Sequence, residues 1–247
     1  MWEERQMKKI VSAEMYKVRH NLSFFVSMIA SVPLGALFTI VMCLVPEVTM
    51  PDIISGVVSY YKIFFIVMIA MYVTNDYEKG TIKAIVSSGV SKSRIYFGRL
   101  LVSIVISELM FLMSAAGAWI CAVVRNVPAA SGGQVWGARE YAESIVIQML
   151  AVVLYAMVGY FISVILRKQV ISIMAAVFIL YFEPMAAQNL GKIIHADLSI
   201  LDFSNTVVQM EELNITGSVL LGFAIFIVIV GVLTCIIGTE VFKRRDI

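Results

Sequence analysis

Charged residues are scarce in this chain. They make up 15% of its 247 residues, while apolar residues make up 60%, against about 25% and 45–50% in ordinary soluble domains. The mean hydropathy is +0.91. A soluble domain of this length could not bury so much apolar surface, so composition excludes a soluble enzyme and equally a disordered chain. A formal net charge of +2 is too small to give the positive electrostatic potential of a nucleic-acid-binding protein, so that class is excluded as well.

Residues that ligate metals or form disulfides are also few. The three cysteines, Cys43, Cys121 and Cys235, lie in apolar runs without CxxC spacing, and His20 and His195 are far apart. We predict that the cysteines pack as small hydrophobic side chains. No GxxxxGK[ST] phosphate loop or HExxH motif is present. The sequence therefore predicts no metal site, cofactor or enzymatic activity on this chain.

Long apolar runs dominate what is present. A membrane helix needs about 20 mostly apolar residues, and six runs qualify, at about 22–45, 53–73, 100–124, 144–166, 170–187 and 217–238. The fifth reaches spanning length only by including Glu183 and Pro184. We predict an all-α polytopic membrane protein, with residues 1–247 forming a single transmembrane domain.

Basic residues are distributed unevenly between the two sides of these spans. Fifteen of the 19 Lys and Arg residues fall on the side that holds both termini, three fall on the other side, and Lys62 lies within a span. Cytoplasmic loops carry the excess of basic residues. We therefore expect a multi-pass plasma-membrane protein with both termini in the cytoplasm.

Three acidic or basic residues interrupt the spans: Lys62, Glu108 and Glu183. A charge at the bilayer centre costs roughly 2.5–3.5 kcal/mol, so it normally pairs or faces water. Counting residues from the cytoplasmic ends puts Lys62 about 18 Å deep and Glu108 about 13 Å deep. We predict an ion pair between spans two and three. The alternatives are that these residues line a hydrophilic pathway or snorkel independently.

Residues 5–20 have the pattern of an amphipathic helix. Its apolar stripe contains Ile10, Val11 and Val18, which predicts an interfacial helix leading into the first span. Glu14 lies within that stripe, while Lys17 lies outside it. Glu14 is either a fixed ion-pair partner or a side chain that reaches the lipid headgroups.

Two segments between spans have patterns of their own. Ile82, Ile85 and Val86, at i, i+3 and i+4 between spans two and three, form one apolar face of a short helix. We expect that face to be exposed for a protein partner, or alternatively to lie at the membrane interface. The largest outer segment, Glu183–Thr216, predicts short helices at or within the outer leaflet, or a surface loop.

Four stretches together resemble a known family. They are Ala13–Lys17 before span one, Asp76–Thr81 after span two, Ser91–Arg94 before span three, and Phe242–Asp246 at the end. In these stretches and in its layout the chain resembles the permease subunits of ABC-2 type ABC transporters, in particular the six-span group found with bacitracin-resistance and lantibiotic-immunity exporters. Two positions depart from the family pattern: Gly89 where proline is frequent, and Arg99 where lysine is usual.

The resemblance implies a fold detail, a coupling site and partners. Short re-entrant helices would follow the fifth span, and the interfacial helix would carry Glu14 and Lys17. A cytoplasmic coupling helix between spans two and three would contact a separate ATPase. The residues implied in coupling are Asp76, Tyr77, Glu78, Gly80, Thr81, Ile82, Ile85 and Val86. ATP and Mg would bind an ATPase dimer, and a second permease subunit, identical or related, would complete a complex surrounded by membrane lipid.

The function implied by this resemblance is export. The chain would be the permease subunit that moves an amphipathic substrate, such as an antimicrobial peptide, out of the bacterial plasma membrane or the cell, and so provide antibiotic resistance or immunity. Two alternatives are open. One is a permease for another substrate, such as a lipid-linked glycan or an ion. The other is a membrane signalling or scaffold subunit that transports nothing.

Overall fold

The structure is a computed structural model that describes residues 2–87, 89–129, 137–194 and 217–244. Within those ranges, side chains are described except at 2–9, 23, 83–84, 183–184, 186–188, 190–191, 194 and 217–223. Every regular element in the described ranges is a helix. The helices are α1 (Trp2–His20), α2 (Leu22–Met42), α3 (Met50–Glu78), α4 (Thr81–Ser87), α5 (Lys92–Val124), α6 (Ala138–Leu166), α7 (Gln169–Ile194) and α8 (Gly217–Arg244).

Five helices in the described part of the chain are long and apolar enough to cross a membrane. They are α2, α3, α5, α6 and the Ala224–Arg244 part of α8. The predicted all-α, polytopic membrane fold is therefore confirmed at this level. In α7 the apolar part, Gln169–Phe182, is shorter than a span, although the helix itself continues to Ile194.

Two of these helices extend well beyond their apolar runs. α3 has 29 residues and α5 has 33, so at 1.5 Å per residue they are about 44 and 50 Å long, against about 30 Å of hydrocarbon. Ser91 is the N-cap of α5, which runs from Lys92 without a break through the third apolar run. These extensions adjoin α4 and carry Asp76 and Arg99 on continuous helices.

The closest helix crossing joins α2 to α5 through glycine. A Cβ added to Gly35 would lie 2.0 Å from the Ser114 carbonyl oxygen, and one added to Gly117 would lie 2.2 Å from the Val32 carbonyl oxygen. Small residues allow the two helix backbones to come into contact. Such close packing drives helix association in a membrane, where burying apolar side chains gains little free energy because lipid tails are themselves apolar. The Thr39 hydroxyl donates to the Ala118 carbonyl oxygen, 3.0 Å away, across the same interface.

Polar side chains join the other spans. The Gln148 amide of α6 bonds to the Ile54 carbonyl, 2.9 Å away, and accepts from the Val58 N–H at 3.3 Å, both on α3. Tyr96 of α5 donates to the Thr234 carbonyl of α8 at 2.9 Å. These bonds satisfy buried polar groups where water is excluded.

The outer segment after the fifth apolar run begins as helix. α7 continues through Glu183 to Ile194, so these residues extend one long helix. The rest of the predicted short outer helices falls on 195–216, which lie outside the described residues.

Candidate functional site

Four charged side chains meet between α1, α3 and α5. They are Glu14, Lys17, Asp76 and Arg99, and we call them the charge cluster. Arg99 and Asp76 are each 1% exposed and Glu14 is 4% exposed, while the Lys17 side chain is 36% exposed. Buried charges are tolerated only when they are paired and hydrogen-bonded. Two acids and two bases make the cluster formally neutral.

The amphipathic pattern of α1 brings Glu14 into this cluster. Val11, Glu14 and Val18 follow one another at three- and four-residue spacing, and both valines pack against the core. Glu14 therefore points inward with them. Lys17 lies three residues after Glu14, with its ammonium nitrogen 3.6 Å from a Glu14 carboxylate oxygen. The structure thus favours the ion-pair interpretation of Glu14 over the headgroup one.

Asp76 is the centre of the cluster. Its carboxylate accepts from the guanidinium of Arg99 and from the ammonium of Lys17, and from the Thr81 hydroxyl at 2.9 Å. One carboxylate therefore connects α1, α3, α4 and α5.

Arg99 and Tyr72 complete the surroundings of the two acids. The Arg99 Nε lies 3.8 Å from a Glu14 oxygen, and the Tyr72 hydroxyl donates to the other Glu14 oxygen at 2.6 Å. The guanidinium carbon lies 5.5 Å from the centre of the Tyr72 ring, a cation–π contact. Sequence reasoning missed both residues, because neither an arginine near a membrane surface nor a tyrosine in a span is unusual.

The segment Asp76–Thr81 contacts several elements in turn. The Tyr77 ring lies 5.1 Å from the Arg167 guanidinium carbon, and the Glu78 carboxylate accepts from the Gln169 N–H at 3.4 Å, at the start of α7. Gly80 has φ +67°, a left-handed conformation that glycine adopts without strain, and so allows the turn into α4. The motif residues therefore join the end of α3 to the end of α6 and to the start of α7, and the Thr81–Asp76 hydrogen bond joins it to α4.

The apolar face of α4 is turned into the bundle. Ile82 is 1% exposed and part of the core, and Ile85 and Val86 are partly buried against it. The expectation that this face is exposed for a partner is therefore wrong: the pattern reflects burial within the chain. Among the residues of this region whose side chains the structure describes, Glu78, Lys79 and Ser87 are polar and exposed.

The intramembrane charges do not form the predicted pair. Both Glu108 carboxylate oxygens are buried and make no hydrogen bond with any described residue, so the ion pair with Lys62 is wrong. Lys62 is partly buried on α3. Glu183 belongs to α7, but its side chain lies outside the described residues. The roles of Lys62 and Glu108 in a pathway or in snorkelling stay predictions.

The comparisons with known proteins identify a family. The model of the DUF2705 family, described as a protein of unknown function, matches residues 15–247, and the chain therefore belongs to that family. The matched range includes three of the four residues of the charge cluster. No curated protein matches the chain.

Proposed function

We propose that this member of the DUF2705 family is the permease subunit of an ABC exporter in the bacterial plasma membrane. A separate ATPase dimer would bind ATP and Mg, while this chain forms the membrane path and catalyses no reaction itself. The substrate would be amphipathic, such as an antimicrobial peptide. The observation that carries the proposal is that a short helix between two spans is tied by one buried carboxylate to three other helices.

The six-span arrangement is part of the proposal. The 26 residues of α7 measure about 39 Å, which is enough to cross the hydrocarbon. Six crossings return both termini to one side, and the excess of Lys and Arg there makes it the cytoplasmic side. α1, α4 and the charge cluster would then face the compartment that contains the ATPase.

The connections of α4 indicate how force would reach the spans. Thr81 begins α4 and donates to Asp76, whose other partners lie on α1 and α5. A displacement of α4 would therefore act on α1 and α5 at the same time. Because α1 continues into α2, the displacement would reach that span as well. Ile82 keeps α4 on the bundle, so the ATPase would contact the exposed polar residues Glu78, Lys79 and Ser87.

Purification of the full chain in mild detergent tests the partner. We expect an ABC ATPase to copurify with the wild type and to be lost from the double variant Lys79→Glu/Ser87→Tyr. Arg139→Glu/Ala142→Tyr applies the same chemistry to exposed residues of α6 and should retain it. Failure of the wild type to recover an ATPase, or equal recovery by both variants, would refute the proposal.

Reconstitution with the ATPase tests transport. We expect an amphipathic peptide to stimulate ATP hydrolysis in proteoliposomes. Stimulation by a lipid-linked glycan or an ion instead would change the substrate class. If no substrate stimulated hydrolysis, a signalling or scaffold subunit would replace the exporter.

A further inference from the structure

A second site lies at the end of the bundle away from the charge cluster. A cavity of about 630 Å³ opens between the loop after α2 and the loop after α5, with Glu47 and Arg125 among its lining residues. Sites for small ligands typically enclose about 300–1,000 Å³. The cavity is therefore large enough for a lipid headgroup or another small molecule.

The two loops that form this cavity are held in unusual conformations. Glu47 has φ +63° and Asn126 has φ +52°. Asparagine tolerates the left-handed region, but glutamate does so at a cost. The Met50 N–H donates to the Pro128 carbonyl at 2.9 Å and joins the loops. Tertiary structure therefore holds Glu47 at the wall of the cavity against its local preference.

The lining combines both signs of charge with apolar surface. Arg125 and Glu47 are exposed, and Val45, Val48 and Val127 line the same cavity. A matching ligand would carry an anionic group, a cationic group and an apolar part. An amphiphile with a zwitterionic head has this chemistry.

The depth of the cavity indicates where such a ligand is found. α2 has 21 residues and rises about 31 Å, close to the hydrocarbon thickness. The loop after Met42 therefore lies at headgroup level on the side opposite α1. Zwitterionic phospholipids present a phosphate and an amine at this level.

We propose that this cavity binds the headgroup of phosphatidylethanolamine, with Arg125 on the phosphate and Glu47 on the ammonium. Guanidinium groups bind phosphate oxygens through two parallel N–H donors. A primary ammonium donates hydrogen bonds to a carboxylate, whereas the quaternary ammonium of phosphatidylcholine has no N–H. The site therefore distinguishes ethanolamine from choline through Glu47.

Native mass spectrometry of the delipidated full chain tests this site with the two lipids, matched in acyl chains. We expect phosphatidylethanolamine to bind about tenfold more tightly than phosphatidylcholine, as one charge-assisted hydrogen bond allows. Glu47→Gln should remove the preference for phosphatidylethanolamine, and Arg125→Gln should weaken the binding of both lipids. Arg139→Gln changes an exposed arginine of α6 and should alter neither the preference nor the affinity for either lipid. Equal binding of the two lipids by the wild type, or a preference that persists in Glu47→Gln, overturns the proposal.

Alkylation of Cys43, which lines the cavity, locates the bound lipid. In a Cys121→Ala/Cys235→Ala background, phosphatidylethanolamine should slow the reaction of Cys43 and phosphatidylcholine should not. If phosphatidylethanolamine failed to protect Cys43, the bound lipid would lie elsewhere and the proposal would fail. Equal protection by soluble glycerophosphoethanolamine at the same concentration would show that a free headgroup is sufficient for binding. It would overturn the proposal that a phospholipid occupies the cavity. Binding requires no ATPase, so this result is independent of the proposed transport function.

Discussion

Arg99 illustrates how a buried charge can be accommodated in this molecule. Its guanidinium, 1% exposed, contacts Asp76 and lies near Glu14. Removing charges from water costs free energy, which their mutual attraction offsets only when the buried charges are paired and hydrogen-bonded. The cluster is therefore tolerated because it is complete, and the loss of one member leaves its partners buried without compensation.

We expect Asp76→Asn to destabilise the fold by about 3–5 kcal/mol, because Arg99 and Lys17 both lose their common partner. The free energy of unfolding can be measured by denaturant titration in mixed micelles. Glu143→Gln removes a carboxylate from an exposed ion pair with Arg139 and should change the free energy of unfolding far less. Similar values for the two variants would show that the cluster contributes no more than a surface ion pair.

Sequence reasoning could recognise only part of this cluster. Glu14 is visible because it interrupts an apolar stripe, but the burial of Arg99 depends on α1 covering the extended ends of α3 and α5. The Lys62–Glu108 pair failed for a related reason. Counting residues gives depth along a helix but not rotation about it, and a shift of one residue turns a side chain by 100°. On α5 the neighbouring Ser107 is 1% exposed, whereas Glu108 is only partly buried.

Among the helix pairs, the packing of α2 against α5 depends most on residues that have no side chain at the contact. Gly35 and Gly117 bring backbone against backbone, and any larger residue must push the helices apart. This contact, rather than hydrophobicity, determines which faces of the two helices meet.

We expect Gly117→Leu to abolish folding or to lower the thermal unfolding midpoint by many degrees, because its Cβ alone would meet the Val32 carbonyl. Ala116→Leu adds a similar side chain one residue away, on an exposed part of α5, and should be tolerated. Size-exclusion chromatography and a thermal melt in detergent would distinguish them. If the two variants were equally stable, the close crossing would be wrong.

Hydropathy predicted the elements better than their roles. A membrane helix satisfies its own backbone hydrogen bonds, so each long apolar run could be recognised as helix without knowledge of its neighbours. The polar extensions of α3 and α5 carry no such apolar run, so hydropathy alone does not predict them as helix. In α4, the spacing of Ile82 and Ile85 predicts one apolar face, but the structure buries that face instead of exposing it to a partner. The pattern does not say what covers it, and the cover is this chain rather than a partner.

For the whole molecule, the number of crossings determines where α8 enters the membrane. If α7 crosses, Ser204, between α7 and α8, is extracellular. A cysteine at Ser204, in a background with Cys43, Cys121 and Cys235 replaced by alanine, should react with an impermeant thiol reagent on intact cells. A cysteine at Ser91, before α5, should react only after permeabilisation. Reaction of Ser204 only after permeabilisation would mean that α7 does not cross.

The contact between α2 and α5 also has a consequence for biosynthesis. The bond from Thr39 to Ala118 joins residues 79 positions apart. At roughly 5–20 residues per second, the ribosome needs about 4–16 s to produce the second after the first. During that interval α3 is synthesised, and the surface of α2 that carries Gly35 has not yet met α5. A nascent chain that pauses in this window would present that surface to other membrane helices, so the speed of translation between α3 and α5 bears on how faithfully the protein is assembled.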